Sequence, residues 1–174
     1  GCVFSNEFLD ALPVHRVWVR NGEWREKCVG LGESAGRFVE VDRPLSDPAL
    51  ADYLQKLPVQ RMEGYRTEVN LSALQWTKEI SRRLRRGFMV TIDYGFEREE
   101  YFSPHHHEGH LQCYASHRRH NDPYINPGEQ DITAHVEWTS IMEAGEKAGL
   151  KTLSLTDQSH FLLEAGREVI EEIV

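Results

Sequence analysis

Two segments far apart in the chain share one pattern, and that pattern limits the fold more than any other feature. Gly1 to Val14 opens with a short apolar run (Cys2, Val3, Phe4), delivers Asn6, Glu7 and Asp10 with no turn signal between, and breaks at Pro13. Gly87 to Gly95 repeats the order: the run Phe88 to Ile92, then the acid Asp93, the aromatic Tyr94 and a glycine. A continuous apolar run that turns polar only at its downstream end reads as a parallel strand covered on both faces. Open α/β sheets bind ligands beyond the carboxyl ends of such strands. Two strands that each end in a carboxylate therefore predict one shared crevice, although Asn6 and Glu7 could equally cap a helical turn.

The 174 residues are enough for one domain with a real core. A net charge of −8 argues against nucleic acid or an anionic membrane as the general partner, while an acidic cleft would attract a basic protein substrate. Cys2, Cys28 and Cys113 have no C-x-x-C spacing, so they offer neither a disulfide framework nor a thiolate zinc site and fit a reducing compartment. No apolar run approaches membrane-spanning length and no basic targeting region is visible. A soluble protein is expected, bacterial and cytoplasmic or in the mitochondrial matrix of a eukaryote, with homodimerisation left open. The chain starts inside a strand and stops inside a helical stretch, whereas termini usually lie in exposed segments, so a piece of a longer polypeptide is expected.

Between the two key segments, β-rich runs flank Asn21-Gly22, the strongest short-range hairpin signal, and Gly36 to Val41 can add a third antiparallel strand. Pro48 suits a first helical turn, and Leu50, Tyr53, Leu54 and Leu57 give that helix an apolar face. Residues 14–63 are thus expected to form a hairpin and helix inserted into a single α/β domain spanning 1–174. Tyr65 to Val69 reads as a short strand. Asn70 or Ser72 starts the best helix, with Leu71, Leu74, Ile80 and Leu84 on one stripe and Gly87 as its stop. Helix, glycine and the strand Phe88 to Ile92 in succession signal a crossover into a parallel sheet. Downstream come strands at Leu111 to Ala115 and from Asp131, a helix through Ile141, Met142 and Ala148, a strand in Gly149 to Leu155, and a helix from Ser159 to Val174. The alternation of strands and helices places the fold in the α/β class.

His105, His106, His107 and His110 share one polar loop with Glu108, too turn-rich for a packed element, and lack the fixed spacing of metal ligands, so no metal site is assigned. His117 and His135 have sharper contexts, Tyr114-x-x-His117 and Asp131-x-x-x-His135. An imidazole beside a carboxylate suits proton transfer, and a structural bond from His135 to Asp131 is equally consistent. No G-x-S-x-G elbow or Walker loop is present. Converging carboxylates with neither metal nor nucleophile suit a cation. Glu7 and Asp10 could orient a guanidinium, or hold the ribose or the charged sulfur of a nucleoside cofactor.

The segment Ser5 to His15 resembles the N-E-x-x-D-A-L-P-V motif of the MidA family, S-adenosylmethionine-dependent methyltransferases linked to respiratory complex I assembly. Ile92-Asp-Tyr-Gly95, Leu111-Gln-Cys-Tyr-x-x-His117, Pro127-Gly-x-Gln-Asp-Ile-Thr-Ala-His-Val136 and Gln158-Ser-x-Phe-Leu162 are similar to later motifs of that family, in the same order. The resemblance implies part of a class I, Rossmann-like methyltransferase sheet, S-adenosylmethionine as cofactor, and arginine methylation of a protein such as a complex I subunit. It also implies that Asn6, Glu7 and Asp10 lie against the cofactor, with Glu7, Asp10 and His135 as catalytic candidates. Asp93, Tyr94, Tyr114, His117 and Asp131 would then line the substrate side. The family's glycine-rich first loop and the acid closing its second strand have no counterpart, so the chain corresponds to the downstream half, without the N-terminal cofactor-binding half. Two other classes compete: a non-catalytic assembly module, and a metal-dependent hydrolase using the histidine loop.

Overall fold

The computed structural model describes residues 1–34, 36–57, 61–115 and 118–166. Strand β1 (Cys2–Asn6) ends at a tight loop, and Leu9 in that loop is completely buried against Ala73, Val136 and Ile141. Burying a leucine side chain contributes about 1.5–3 kcal/mol, so this loop is anchored rather than free. Strands β2 (His15–Arg20) and β3 (Glu23–Leu31) form the hairpin about Asn21-Gly22, both at positive φ, and β4 (Phe38–Arg43) pairs with β3. Asp47 caps α1 (Pro48–Gln55) by accepting from Ala49 N at 2.7 Å; Leu50 and Leu54 then pack on Val17 and Val69. Strand β5 (Arg66–Val69) pairs antiparallel with β2, so the hairpin sheet runs in the order β4-β3-β2-β5 and extends past residue 63.

Asn70 caps α2 (Leu71–Arg83) through Ala73 N and donates its amide to Leu9 O at 2.9 Å, fastening the helix to the loop after β1. The buried line of α2 is Ala73, Thr77 and Ser81, not the leucine stripe that the sequence suggests. Helix α4 (Trp138–Lys147) packs here, and small residues let two helices approach; Thr77 and Ser81 satisfy their hydroxyls on the backbone carbonyls four residues before them. Strand β6 (Phe88–Ile92) runs parallel to β1, with Asn6 opposite Ile92. The expectation of cover on both faces fails: Phe4 and Phe88, on one face of this pair, are 63% and 61% exposed. The opposite face carries Met89 and Thr91, which line a hollow together with Trp138 and Ile141.

Strand β7 (Gly95–Phe96) precedes the short α3 (Arg98–Tyr101), and a single 3-10 turn covers Pro104–His106. Strands β8 (Leu111–Ala115), β9 (Arg118–His120) and β10 (Asp131–Ala134) form an antiparallel sheet in the order β10-β8-β9. Strand β11 (Val136–Glu137) pairs parallel with β7 and leads into α4 (Trp138–Lys147), and α5 (Gln158–Ala165) follows. The fold is α/β, with mixed parallel and antiparallel pairing. The strand expected in Gly149 to Leu155 does not form, because a strand needs a neighbour to bond and none of the described strands pairs with this segment; Leu153 is 70% exposed. Of the helix expected from Ser159 to Val174, residues 167–174 lie outside the described residues.

Candidate active site

Parallel pairing of β1 with β6 brings Glu7 and Asp93 to the same end of adjacent strands, and Glu7 N donates to Ile92 O at 2.9 Å. Glu7 sits at φ +46°, an uncommon conformation for a residue with a side chain, and it reverses the chain at the strand end. Asp93 then grips the loop. Its Oδ2 accepts from Phe8 N (3.1 Å), Leu9 N (2.8 Å) and Asp10 N (3.3 Å), while Oδ1 accepts from Tyr94 N (2.9 Å). Burial still pushes the Asp93 carboxyl above its ordinary value, against the lowering effect of these bonds.

The loop so held presents Asn6 and Glu7 to solvent and folds Asp10 inward. Asp10 is 6% exposed, and its Oδ1 has no hydrogen-bond partner among the described residues. Burial first, then the charges of Asp93 and Glu7, push its carboxyl up to about 6. A buried carboxylate oxygen without a partner is costly, so this position asks for a donor or a positive charge from a ligand.

The third wall is the crossing from β10 to β11. Ala134 N donates to Asp10 O at 2.9 Å and Val136 N donates to Tyr94 O at 2.8 Å, so both acidic loops are tied to the residues on either side of His135. The β7–β11 contact is close enough that a Cβ on Gly95 would lie 2.1 Å from Val136 O, so only glycine fits after Tyr94. His135 Nδ1 meets His110 Nδ1 at 3.2 Å, not Asp131. Asp131 and His135 are separated along extended chain, at roughly 3.3 Å per residue, and Asp131 is exposed. Burial, then the neighbouring His106 and Arg119, lower the His135 imidazole, with Asp93 acting the other way.

His110 was expected in a solvated loop but is 3% exposed; it stacks on Tyr101 at 3.9 Å between centroids and bonds Tyr101 O through Nε2 at 2.8 Å. Burial drops its imidazole to about 4. Glu68 Oε2, itself buried, accepts from His110 N at 2.6 Å and fixes the backbone here. Sequence reasoning missed His110 because it belongs to a run of polar neighbours; its i+1 apolar strand β8 was the available signal. Gln112, which faces His135 Nε2 at 3.5 Å, was likewise missed. Tyr94 and Tyr114 stand exposed at the rim, and His117 lies outside the described residues. Among the described residues no group of three His, Cys, Asp or Glu is arranged to hold a metal. A hollow of about 450 Å³ lies elsewhere, between β6, α4 and residues 149–155, and has none of these carboxylates or histidines.

Residues 1–156 match the family described as "Putative S-adenosyl-L-methionine-dependent methyltransferase". The chain belongs to this MidA-like methyltransferase family. It is similar to the Drosophila melanogaster "Protein arginine methyltransferase NDUFAF7 homolog, mitochondrial", at 26% identity over 152 residues that make up 84% of this chain and 32% of the relative. A Burkholderia thailandensis structure bound to S-adenosyl-homocysteine superposes with a TM-score of 0.89 at 40% identity, covering all of this chain and 44% of the other. A native Burkholderia thailandensis structure gives 0.90 and 40%, covering 46% of that chain. The chain thus spans from about a third to under half of the length of these relatives. No helix among the described residues is long and apolar enough to cross a membrane.

Proposed function

We propose that this chain supplies the acceptor-facing part of an S-adenosylmethionine-dependent methyltransferase site, and that the acceptor is an arginine nitrogen of a protein. The observation that carries the reading is the loop after β1. With Asn6, the last residue of that strand, it combines an exposed amide and carboxylate with a buried carboxylate oxygen that lacks a partner among the described residues, all at the carboxyl end of a parallel strand. This donor set fits a cofactor that brings a sulfonium and an amine. Asn6 and Glu7 would border the cofactor, and Asp10 Oδ1 would accept from it or from the acceptor. When bound, the cofactor supplies an already activated methyl group. The protein's task is then placement, which can supply a large share of the rate.

Glu7 orients the planar guanidinium by charge-assisted hydrogen bonds, and Asp10 adds a second acceptor beneath it. Asp93 holds the loop that carries both. Tyr94 and Tyr114 flank the entry, and His135 closes it. The Drosophila relative's name favours arginine as the acceptor and a mitochondrial setting. A complex I subunit as the substrate class, in a mitochondrial matrix or a bacterial cytoplasm, is what the family resemblance implies. Isothermal titration of S-adenosyl-homocysteine into the full-length polypeptide should show binding. Labelled methyl from S-adenosylmethionine should appear in arginine-containing peptides and not in lysine counterparts. Binding without methyl transfer to any peptide would favour an assembly module over an enzyme.

A further inference from the structure

The hydrogen bonds around His110 determine which nitrogen of His135 carries its proton. Tyr101 O can only accept, so His110 Nε2, 2.8 Å away, carries hydrogen. His110 is buried, stacked on Tyr101 and has no carboxylate on its ring, so it is neutral and its Nδ1 is a bare acceptor. The drop of its imidazole to about 4 agrees. His135 Nδ1 lies 3.2 Å from that bare nitrogen, and two bare or two protonated nitrogens cannot bond at that separation. The hydrogen between them therefore sits on His135 Nδ1. In the neutral ring this leaves His135 Nε2 without a proton, its lone pair met only at 3.5 Å by the Gln112 amide nitrogen. Gln112 supports the assignment independently: Tyr114 donates its hydroxyl to Gln112 Oε1, which turns the amide NH₂ toward His135 Nε2.

We propose that His110 is a positioning residue that locks His135 as the Nδ1–H tautomer, so that His135 Nε2 is the base receiving the proton released by the methylated nitrogen. The base role rests on the methyltransferase reading above; the tautomer does not. Methylation of a guanidinium forms one C–N bond as one S–C bond breaks, its electron pair staying on sulfur. A monocationic guanidinium gives a monocationic product and the sulfonium becomes a neutral thioether, so one proton must leave the nitrogen. His135 is placed to take it. The backbone N–H groups of residues 134 and 136 bond the two acidic loops, and the half-buried ring between them lies near enough for the Asp93 charge to act on it. The resulting imidazolium keeps its Nδ1–H on His110. Burial first, then the charges of His106 and Arg119, oppose that charge and keep the ring neutral between turnovers, whereas Asp93 favours it.

The test uses the full-length protein with ¹⁵N-labelled histidine and long-range ¹H–¹⁵N correlation at neutral pH, the His135 signals being assigned by their loss in His135→Asn. The expected pattern is protonated Nδ1 and bare Nε2; a protonated Nε2 overturns the lock whatever the activity. His110→Phe keeps the stacked shape and removes the acceptor, whereas His110→Asn returns an oxygen near the Nδ1 position. In His110→Phe, kcat for an arginine peptide should fall about tenfold with little change in KM, less than the about hundredfold expected for losing a general base outright. His110→Asn should recover most of it and restore the tautomer. Equal kcat in wild type and His110→Phe, over a pH profile that does not move, overturns the base role. Absence of any methyl transfer by the wild type removes the base role together with the proposed function and leaves the tautomer to stand on its spectrum. Should His110→Phe fail to fold, the wild-type spectrum alone still decides the lock.

Discussion

Replacing Asp93 by alanine removes the acceptor that holds the loop after β1. Three backbone N–H groups share its Oδ2, and among the described residues no other acceptor reaches Phe8, Leu9 or Asp10 N. Phe8 N is exposed and can turn to water, so its loss costs little. The Leu9 and Asp10 bonds are partly buried, and hydrogen bonds to a charged group contribute about 1.5–3 kcal/mol each. Taking the low end for two shared, non-ideal bonds, Asp93→Ala should cost about 3 kcal/mol. Asp93→Asn keeps one carbonyl oxygen in place and loses the charge, so about 1 kcal/mol is expected. Urea unfolding followed by fluorescence, with m-values compared, reads both differences as midpoint shifts. The loop also carries Glu7 and Asp10, so methyl transfer should fall with Asp93→Ala. An alanine variant within about 0.5 kcal/mol of wild type, the range of an ordinary surface change, would refute the clamp.

Asp10→Asn should flatten part of the pH dependence of stability. Its folded value is raised from 3.8 to about 6, so its contribution is fully present below pH 3.8 and is lost as pH rises through about 6. Across that window the variant should gain on wild type, by at most about 2 kcal/mol after solvent screening, in thermal melts taken at several pH values. Tyr53→Phe removes a hydroxyl that bonds Glu137 Oε2 and Ser140 Oγ, both at 3.0 Å, and leaves a buried carboxylate short of a donor; a loss of about 1–3 kcal/mol in urea unfolding is expected. Gly95→Ala places a methyl against Val136 O and should separate β7 from β11, lowering the melting temperature and displacing Tyr94.

The sequence pattern that predicted two adjacent parallel strands rests on local information, an apolar run ending in an acid, and the structure lays β1 beside β6 as that pattern requires. The partners of Asp93 were not legible, because the N–H groups it serves lie 83 to 85 residues earlier and carry no side-chain signature. Nor was the stripe Ala73, Thr77, Ser81, since periodicity counts large apolar residues while close helix packing selects small ones. The β pattern of residues 149–155 is present, but pairing is a tertiary property and the described strands supply no partner. His110 shows the same limit from the other side. Nothing in Pro104 to Gly109 marks it as buried; Tyr101 and Glu68, from two other elements, do that.

The central claim is that Glu7, at the end of β1, holds the accepting nitrogen in place for methyl transfer. Labelled-methyl incorporation into an arginine-containing peptide, measured for the full-length polypeptide and its Glu7→Gln variant with circular dichroism recorded on both, tests it most directly. The account predicts a fall of about hundredfold with the fold unchanged. Equal incorporation by the two proteins would contradict it.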